Sequence, residues 1–283
     1  MYPPKFEYHR AGSVAEALKL KGELGEAKFL AGGHSLIPVL KLRLTAVENL
    51  IDIGRIAGLS GISASNGSTQ IGALTTHATV EKAANLPHIL PQAAGWIGDP
   101  MVRNRGTVGG NVAHADPASD LPTVFMALGA HFHITGASGE RTVAAADFFT
   151  GLFETALGED EMLTAVSFPS RASGTGSAYA KLFNPASRYA MVGAGAVVTV
   201  ADGKCTSASV AIGGLTPNAR PCPSVVAGLV GQELTDGVLE AAAKAVADDL
   251  GDEVTGDIHA SGEYRRQMAP VFVARALMEA RGG

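Results

Sequence analysis

Two glycine-centred segments have the residue types to hold an anion. The first is Ala31-Gly32-Gly33-His34-Ser35 and the second is Thr107-Val108-Gly109-Gly110-Asn111. Paired glycines let the backbone take positive φ and approach another group closely. Consecutive N–H groups in such turns form a concave anion site. The first segment also runs into a helical pattern, and a helix N-terminus favours phosphate further. Two such loops could grip both phosphates of a pyrophosphate, and backbone donors would do so without Lys or Arg. The plainer reading of the same residues is a pair of tight turns, because glycine marks turns. Neither segment is a Rossmann G-x-G-x-x-G, and no P-loop G-x-x-x-x-G-K-[ST] occurs. A nucleotide bound here would therefore sit in some other fold.

Other polar residues are more ambiguous. Asp116 and Asp120 follow the second loop in Ala115-Asp116-Pro117-Ala118-Ser119-Asp120. A carboxylate there could accept hydrogen bonds from ribose hydroxyls, but Asp120 also suits the N-cap of a helix starting near Leu121, and the residues alone favour capping. His131 and His133 lie two apart on a predicted strand and share a face, too few ligands for a metal site. His34 lies inside the first loop, where its ring could meet a ligand or simply pack. Lys181 and Tyr189 flank Asn184-Pro185-Ala186-Ser187-Arg188. There a lysine could supply charge near a phosphate or flavin, and an aromatic ring could pack on a planar ring system. No G-x-S-x-G elbow supports a hydrolase triad. Cys205 and Cys222 are the only cysteines. They cannot ligate an iron–sulfur cluster in this chain, and they imply no disulfide framework, as in a reducing cytoplasm.

The elements that must position these residues follow from pattern. Ser13 to Glu16 reads as a capping box opening a helix that ends near Gly25. A short strand at Lys28–Ala31, the first glycine loop, a helix from about Leu36 and a strand at Asn49–Ile53 make a β-loop-α-β unit. A second unit begins near Leu59, with Asn66-Gly67 as a hairpin turn and helical patterns at Thr76–Ala84 and His88–Ile97. The stretch from Gly98 to Asp120 lacks periodicity and reads as a long functional loop. Strands follow at Ala130–Thr135 and Glu161–Phe168. Arg171–Ser177 is the best linker. Beyond it, strands at Ala178–Phe183, Ala194–Ala201 and Thr206–Ile212, with an Asp202-Gly203 turn, precede helices at Asp236–Leu250 and Ser261–Arg281. The expectation is α+β: two α/β subdomains, then an antiparallel sheet with helices on one face.

Composition bounds the function. The 283 residues are 46% hydrophobic and 17% charged, which excludes a disordered chain. At 28.9 kDa about two domains are expected. The net charge is −5 and the longest basic run is Arg265-Arg266, so nucleic acid is not an expected partner. No apolar run is long enough for a membrane span, and no signal peptide is read at the start. The residues alone reach a dinucleotide or phosphate binder of unnamed cofactor.

The segment Ala31-Gly32-Gly33-His34-Ser35-Leu36-Ile37-Pro38, followed about 75 residues later by Arg103-Asn104-Arg105-Gly106-Thr107-Val108-Gly109-Gly110-Asn111, resembles the two flavin-binding loops of the molybdenum hydroxylase (xanthine oxidase family) flavoproteins. Phe6-Glu7-Tyr8-His9-Arg10 and Glu263-Tyr264-Arg265 match as well, and the resemblance covers essentially the whole chain. It is nearest to the carbon monoxide dehydrogenase-type members. It implies a PCMH-type FAD-binding domain over 1–172, with subdomains at about 1–57 and 58–172, and a flavoprotein C-terminal domain over 177–283. It implies FAD contacts at Ala31 to Pro38 (Ala31, Gly32, Gly33, His34, Ser35, Leu36, Ile37, Pro38), at Thr107, Val108, Gly109, Gly110 and Asn111, and at Asp120, Leu163, Lys181 and Tyr189. In the contest over Asp120 it favours ligand contact. No catalytic residue of the chain itself is implied, because the flavin carries the redox chemistry. The implied partners are a large molybdopterin subunit and a small subunit with two [2Fe–2S] clusters, assembled as a dimer of heterotrimers, with a quinone or similar acceptor. One departure stands out: many relatives carry an acidic residue where this chain has Arg188. Three alternatives remain at this point: the flavoprotein of another molybdenum hydroxylase, acting on an aldehyde, N-heterocycle or aromatic acyl-CoA; a nucleotide-binding module without redox function; and a stand-alone flavin oxidase.

Overall fold

The computed structural model describes residues 1–170 and 172–282. Arg171, the first residue of the expected linker, lies outside the described residues.

The N-terminal layer is a three-stranded parallel sheet. Its elements are β1 (Glu7–Arg10), α1 (Val14–Glu23), β2 (Ala27–Leu30), α2 (Leu36–Lys41) and β3 (Asn49–Asp52), and the strand order is β1-β3-β2. The expected β-loop-α-β unit is β2-α2-β3, and β1 adds a further strand beside β3. The Ser13 Oγ accepts from the Glu16 N–H at 3.1 Å, while the Glu16 carboxylate reaches back to the Gly12 N–H at 2.8 Å. Both halves of a capping box are thus present, with the return bond one residue earlier than usual. Ile51, Ile53 and Ala17 fill one side of this sheet and Leu40, Val47 and Leu50 the other.

The second layer holds β4 (Ile62–Ser65), β5 (Ser68–Gly72), α3 (His77–Glu81), α4 (Ile89–Trp96), α5 (Pro100–Arg105), α6 (Val108–His114), α7 (Asp120–Ala127), β6 (His131–Gly136), β7 (Gly139–Ala144), α8 (Ala145–Phe148), β8 (Phe149–Gly151), β9 (Glu154–Thr155) and β10 (Glu161–Pro169). Five of these strands form an antiparallel sheet of order β4-β5-β10-β6-β7. Asn66 and Gly67 both take positive φ, 50° and 72°, as a two-residue type I′ hairpin requires. The long loop expected from Gly98 to Asp120 is instead two short helices. Asp99 caps α5, with Pro100 at the helix start, and Thr107 caps α6. Helices of six and seven residues rich in Gly and Asn show too little periodicity to be seen as helices. Their core is aromatic: the Phe132 and Phe148 centroids lie 4.3 Å apart, with Phe125 and Phe149 edge-on to Phe132.

The C-terminal part is β11 (Thr175–Phe183), β12 (Ala190–Ala201), β13 (Lys204–Gly213), β14 (Arg220–Pro221), α9 (Pro223–Ala227), α10 (Asp236–Lys244), α11 (Val246–Leu250) and α12 (Gly262–Arg281). Its antiparallel sheet runs β11-β12-β13-β14. The last four helices bury Leu239, Val246, Phe272 and Leu277 against one face. The opposite face is covered too, by α4 and α7 from the preceding layer. Gly195 and Gly213 make that fit possible, because a Cβ on Gly195 would meet Ala127 at 3.0 Å and one on Gly213 would collide with the Thr123 hydroxyl. β11 begins at Thr175, inside the stretch read as linker.

Candidate functional site

A cavity of about 1020 Å³ lies at the carboxyl end of β2 and between the first two layers. Ligands of parallel α/β sheets bind outside the carboxyl ends of the strands, and the volume is at the upper end for small-molecule and cofactor sites.

The first glycine loop carries the chain out of β2. Gly33 sits at φ +74°, and a Cβ on Gly32 would strike the Arg105 carbonyl and the Gly106 Cα. Gly33 therefore allows the turn and Gly32 the contact between layers, with only Gly free to do either without strain. Among the described residues no acceptor takes the N–H groups of Gly32, Gly33, His34 or Ser35. Gly32 to Ser35 line the cavity, so four consecutive unpaired donors stand at its edge, the arrangement a concave anion site requires. The His34 ring turns back, with Nδ1 3.2 Å from the Gly32 carbonyl oxygen.

The second loop works differently from the expectation. Four of its five N–H groups are already used: Val108 donates to the Thr75 carbonyl, Gly109 to the Ala73 carbonyl, Gly110 to the Thr107 Oγ1 and Asn111 to the Thr107 carbonyl. It is not a second nest. Its glycines provide close packing, since a Cβ on Gly109 would lie 2.5 Å from the Ala73 Cβ and one on Gly110 2.8 Å from the Thr107 Oγ1. One polar atom is left unsatisfied. The Asn111 side chain donates to the Ser119 Oγ at 2.6 Å, but its Oδ1 is buried without a partner.

Asp120 is the first residue of α7 and does not cap it; the N-cap position is Ser119, whose side chain makes no capping bond. Its carboxylate lines the cavity and also anchors a buried network. Oδ2 accepts from Lys181 Nζ at 2.8 Å, and Oδ1 accepts from the Tyr179 hydroxyl at 2.8 Å. Burial pushes the Asp120 carboxyl above its usual range, and the Lys181 ammonium and Tyr179 hydroxyl pull it back in part. Burial, with the Asp120 charge adding to it, drives the Tyr179 phenol well above its usual value. Asp116 takes no part in this network; its Oδ1 accepts from the Ala118 N–H in a turn.

The β11–β12 hairpin supplies the opposite wall. The Asn184 Oδ1 accepts from the Ala186 and Ser187 N–H groups at 2.9 and 3.1 Å, and the Asn184 N–H donates to the Tyr189 carbonyl. The turn sets Arg188 at φ +61° with its guanidinium 5.9 Å from the Phe183 ring centroid. Tyr189 is 45% exposed and presents its ring to the cavity. Burial, with the Asp116 and Asp120 charges, raises its phenol.

The structure thus brings both loops, Asp120, Leu163 and Tyr189 to one cavity, but four expected contacts do not line it: Ile37, Pro38, Val108 and Lys181. Ile37 packs toward Leu40, Val47 and Leu50, on the far side of α2. Pro38 occupies the first turn of α2, where its missing N–H costs nothing. Val108 is fully buried in the central core. The Lys181 side chain is 1% exposed and spends its charge on Asp120. His133 bonds to Ser167 at 2.7 Å, and Cys205 and Cys222 are buried free thiols. Sequence reasoning missed His77, which lines the cavity from the start of α3; its Thr-Thr-His setting carries no motif signal.

The residues present suit FAD. Four unpaired backbone donors at Gly32–Ser35 are chemistry that a pyrophosphate could use, and Leu163, Tyr189 and Asn111 line the rest of the cavity. Comparison with known proteins agrees. Residues 4–171 match the FAD binding domain of molybdopterin dehydrogenases, and residues 177–280 match the CO dehydrogenase flavoprotein C-terminal domain. The chain is 40% identical to the carbon monoxide dehydrogenase medium chain of Hydrogenophaga pseudoflava, covering 98% of this chain and 97% of that one. It is 42% identical to the medium chain from Afipia carboxidovorans, covering 99% and 98%. The solved carbon monoxide dehydrogenase of Hydrogenophaga pseudoflava superposes over 100% of this chain and 99% of that one, with a TM-score of 0.95. Sequence, fold and cavity therefore agree that this chain belongs to the FAD-binding medium-subunit family of the molybdopterin dehydrogenases, as an oxidoreductase subunit.

Proposed function

We propose that this chain is the FAD-carrying electron-transfer subunit of a molybdenum-containing carbon monoxide dehydrogenase complex. In this reading a large subunit holds molybdopterin and oxidises CO, a small subunit carries two [2Fe–2S] clusters, and electrons leave through this chain to a quinone or similar acceptor. The complex is a cytoplasmic dimer of heterotrimers, reaching the inner membrane only through its partners. The observation that carries the reading is the cavity lined both by Gly32–Ser35, whose four consecutive N–H groups take no acceptor among the described residues, and by Tyr189, in a chain 40% and 42% identical to two carbon monoxide dehydrogenase medium chains. Among the described residues, no helix is long and apolar enough to cross a membrane.

When bound, FAD would supply the exchange of electrons between one- and two-electron carriers. The chain's own residues bind and orient it. Gly32 to Ser35 hold the pyrophosphate, with Ala31 and Leu36 as the flanks of that loop. Thr107, Gly109, Gly110 and Asn111 shape the wall beside that loop. Asp120 keeps a spare lone pair on each oxygen for the ligand, and Lys181 with Tyr179 fixes its orientation from behind. Leu163 and Tyr189 pack on the ligand's planar parts. Ile37, Pro38 and Val108 act by supporting the loops. The FAD-binding region spans 1–172, with subdomains at about 1–57 and 58–172, and 177–283 forms the flavoprotein C-terminal domain.

The visible spectrum of the natively purified protein, with whatever copurifies, tests this directly. Flavin and iron–sulfur bands that bleach on adding CO are expected. Flavin bands that persist under CO would keep the FAD role and move the substrate to an aldehyde, N-heterocycle or aromatic acyl-CoA. A preparation without flavin would overturn the reading.

A further inference from the structure

His77 is a buried polar side chain to which the fold gives no partner. It opens α3 after the N-cap Thr76, is 3% exposed, and lines the cavity. Its backbone N–H donates to the Gly106 carbonyl at 3.1 Å, and Thr76 pairs with Thr107 in an isolated bridge. These bonds clamp the ring beneath the strand that leads into the second loop. Gly106 must be glycine for that fit, since a Cβ there would lie 2.7 Å from the ring Cδ2 and 2.9 Å from Nε2. A Cβ on Gly32, in the first glycine loop, would in turn lie 2.9 Å from the Gly106 Cα. The imidazole is therefore built into the wall beside the anion site.

Neither ring nitrogen has a hydrogen-bond partner among the described residues. Nδ1 is fully buried with nothing facing it. A neutral imidazole carries one donor and one acceptor. A buried N–H without an acceptor is rarer in folded proteins than an under-used acceptor. The lone pair therefore belongs on Nδ1, the dead-end nitrogen, and the proton on Nε2. Burial keeps the ring neutral, with its pKa lowered to about 4, and the nearby His34 and Arg103 act in the same direction. Arg103 itself is paired with Glu81 at 2.7 Å, which takes up that carboxylate.

We propose that His77 recognises phosphate: its neutral Nε2–H donates to an oxygen of the pyrophosphate held at Gly32–Ser35. The assignment rests on the FAD reading above. It adds to the nest a side-chain donor whose position is fixed by backbone contacts and whose charge does not change across the neutral range.

The test uses the native complex, stripped of flavin and titrated with FAD, with ADP as a competing pyrophosphate. Three variants separate the two ring positions. His77→Phe removes both nitrogens. His77→Gln places an amide N–H near the Nε2 position, and His77→Asn places its amide near Nδ1. Loss of one hydrogen bond to a charged group predicts FAD and ADP affinities weakened about 10- to 100-fold in His77→Phe and His77→Asn. His77→Gln is expected within about fivefold of wild type on the same scale. Equal FAD and ADP affinities in His77→Phe and wild type would overturn the proposal. So would rescue by Asn in place of Gln, or weakened FAD binding with unchanged ADP binding. A wild-type complex that takes up no FAD would instead refute the parent reading, and the two failures are distinct.

Discussion

Removing the Lys181 ammonium should cost more than any exposed charge in the chain. Lys181→Met keeps the length and most of the packing volume of the side chain but strips Asp120 of the partner it holds at 2.8 Å. The side chains of Lys181 and Asp120 are 1% and 5% exposed, so water cannot replace the lost partner. Breaking a buried pair from one side typically costs about 3–5 kcal/mol, because the remaining charge is left uncompensated. The Tyr179 hydroxyl still donates to Oδ1, which places the expectation at the lower end, about 3 kcal/mol. Urea unfolding of the flavin-free chain at pH 8 measures it. The loss should depend on pH with a definite sign. Without Lys181 the folded-state carboxyl is raised further above the unfolded value, so the folded chain holds the extra proton. Stability of the variant should therefore fall as pH rises through the Asp120 titration, and the deficit should shrink at pH 5. Replacing both partners, Lys181→Met with Asp120→Leu, should recover most of the lost stability, since no charge remains buried. A Lys181→Met deficit below about 1 kcal/mol, the range of an exposed pair, or one that grows on acidification, would refute the reasoning.

Other expectations follow from the same geometry. Gly33→Val must adopt φ +74°, which costs roughly 1–2 kcal/mol for a side-chain-bearing residue, and FAD retention, read from the visible flavin absorbance per chain, should be lost. Gly110→Val should also lose FAD, through collision with the Thr107 Oγ1 rather than by blocking a donor; a folded variant with full FAD would contradict either assignment. His77 has a folded pKa of about 4 against 6.5 unfolded. Its contribution is therefore complete above the unfolded value and is lost as pH falls, by about 2 kcal/mol between pH 8 and pH 5. Urea midpoints of wild type and His77→Phe at the two pH values should show this slope only in the wild type. Tyr179→Phe deletes one hydrogen bond to a buried carboxylate and should cost about 1.5–3 kcal/mol, seen as a lower melting temperature.

Local features were legible in the chain because local chemistry fixes them. Ser13 and Glu16 announce α1, Asn66-Gly67 and Asp202-Gly203 announce their hairpins, and all four turn residues take positive φ. The unpaired donors of the first glycine loop were legible because they are its own. The other loop carries the same Gly-Gly pair, yet its N–H groups are consumed by Ala73 and Thr75, more than thirty residues earlier, and by its own Thr107. No pattern within the loop reports the distant partners. Asp120 and Lys181 are likewise 61 residues apart in the chain and meet only through the fold, so no local pattern announces their pairing. The helices over 100–114 were hidden by brevity and glycine content, although Asp99-Pro100 and Thr107 carried the capping signals.

The buried network also bears on how this chain can be divided. A cut between residues 172 and 177 would separate Asp120 from both of its partners, Tyr179 and Lys181, and would expose the sheet face now covered by α4 and α7. The two halves are therefore not interchangeable modules. A hybrid that takes its last hundred or so residues from a relative inherits a strand whose alternate positions must supply both a hydroxyl and an ammonium to a carboxylate it did not evolve beside. It must also offer glycines where Thr123 and Ala127 press against the sheet. The compatibility of such hybrids should be set by those few facing positions, and the thermal transition of the intact chain should be a single cooperative event.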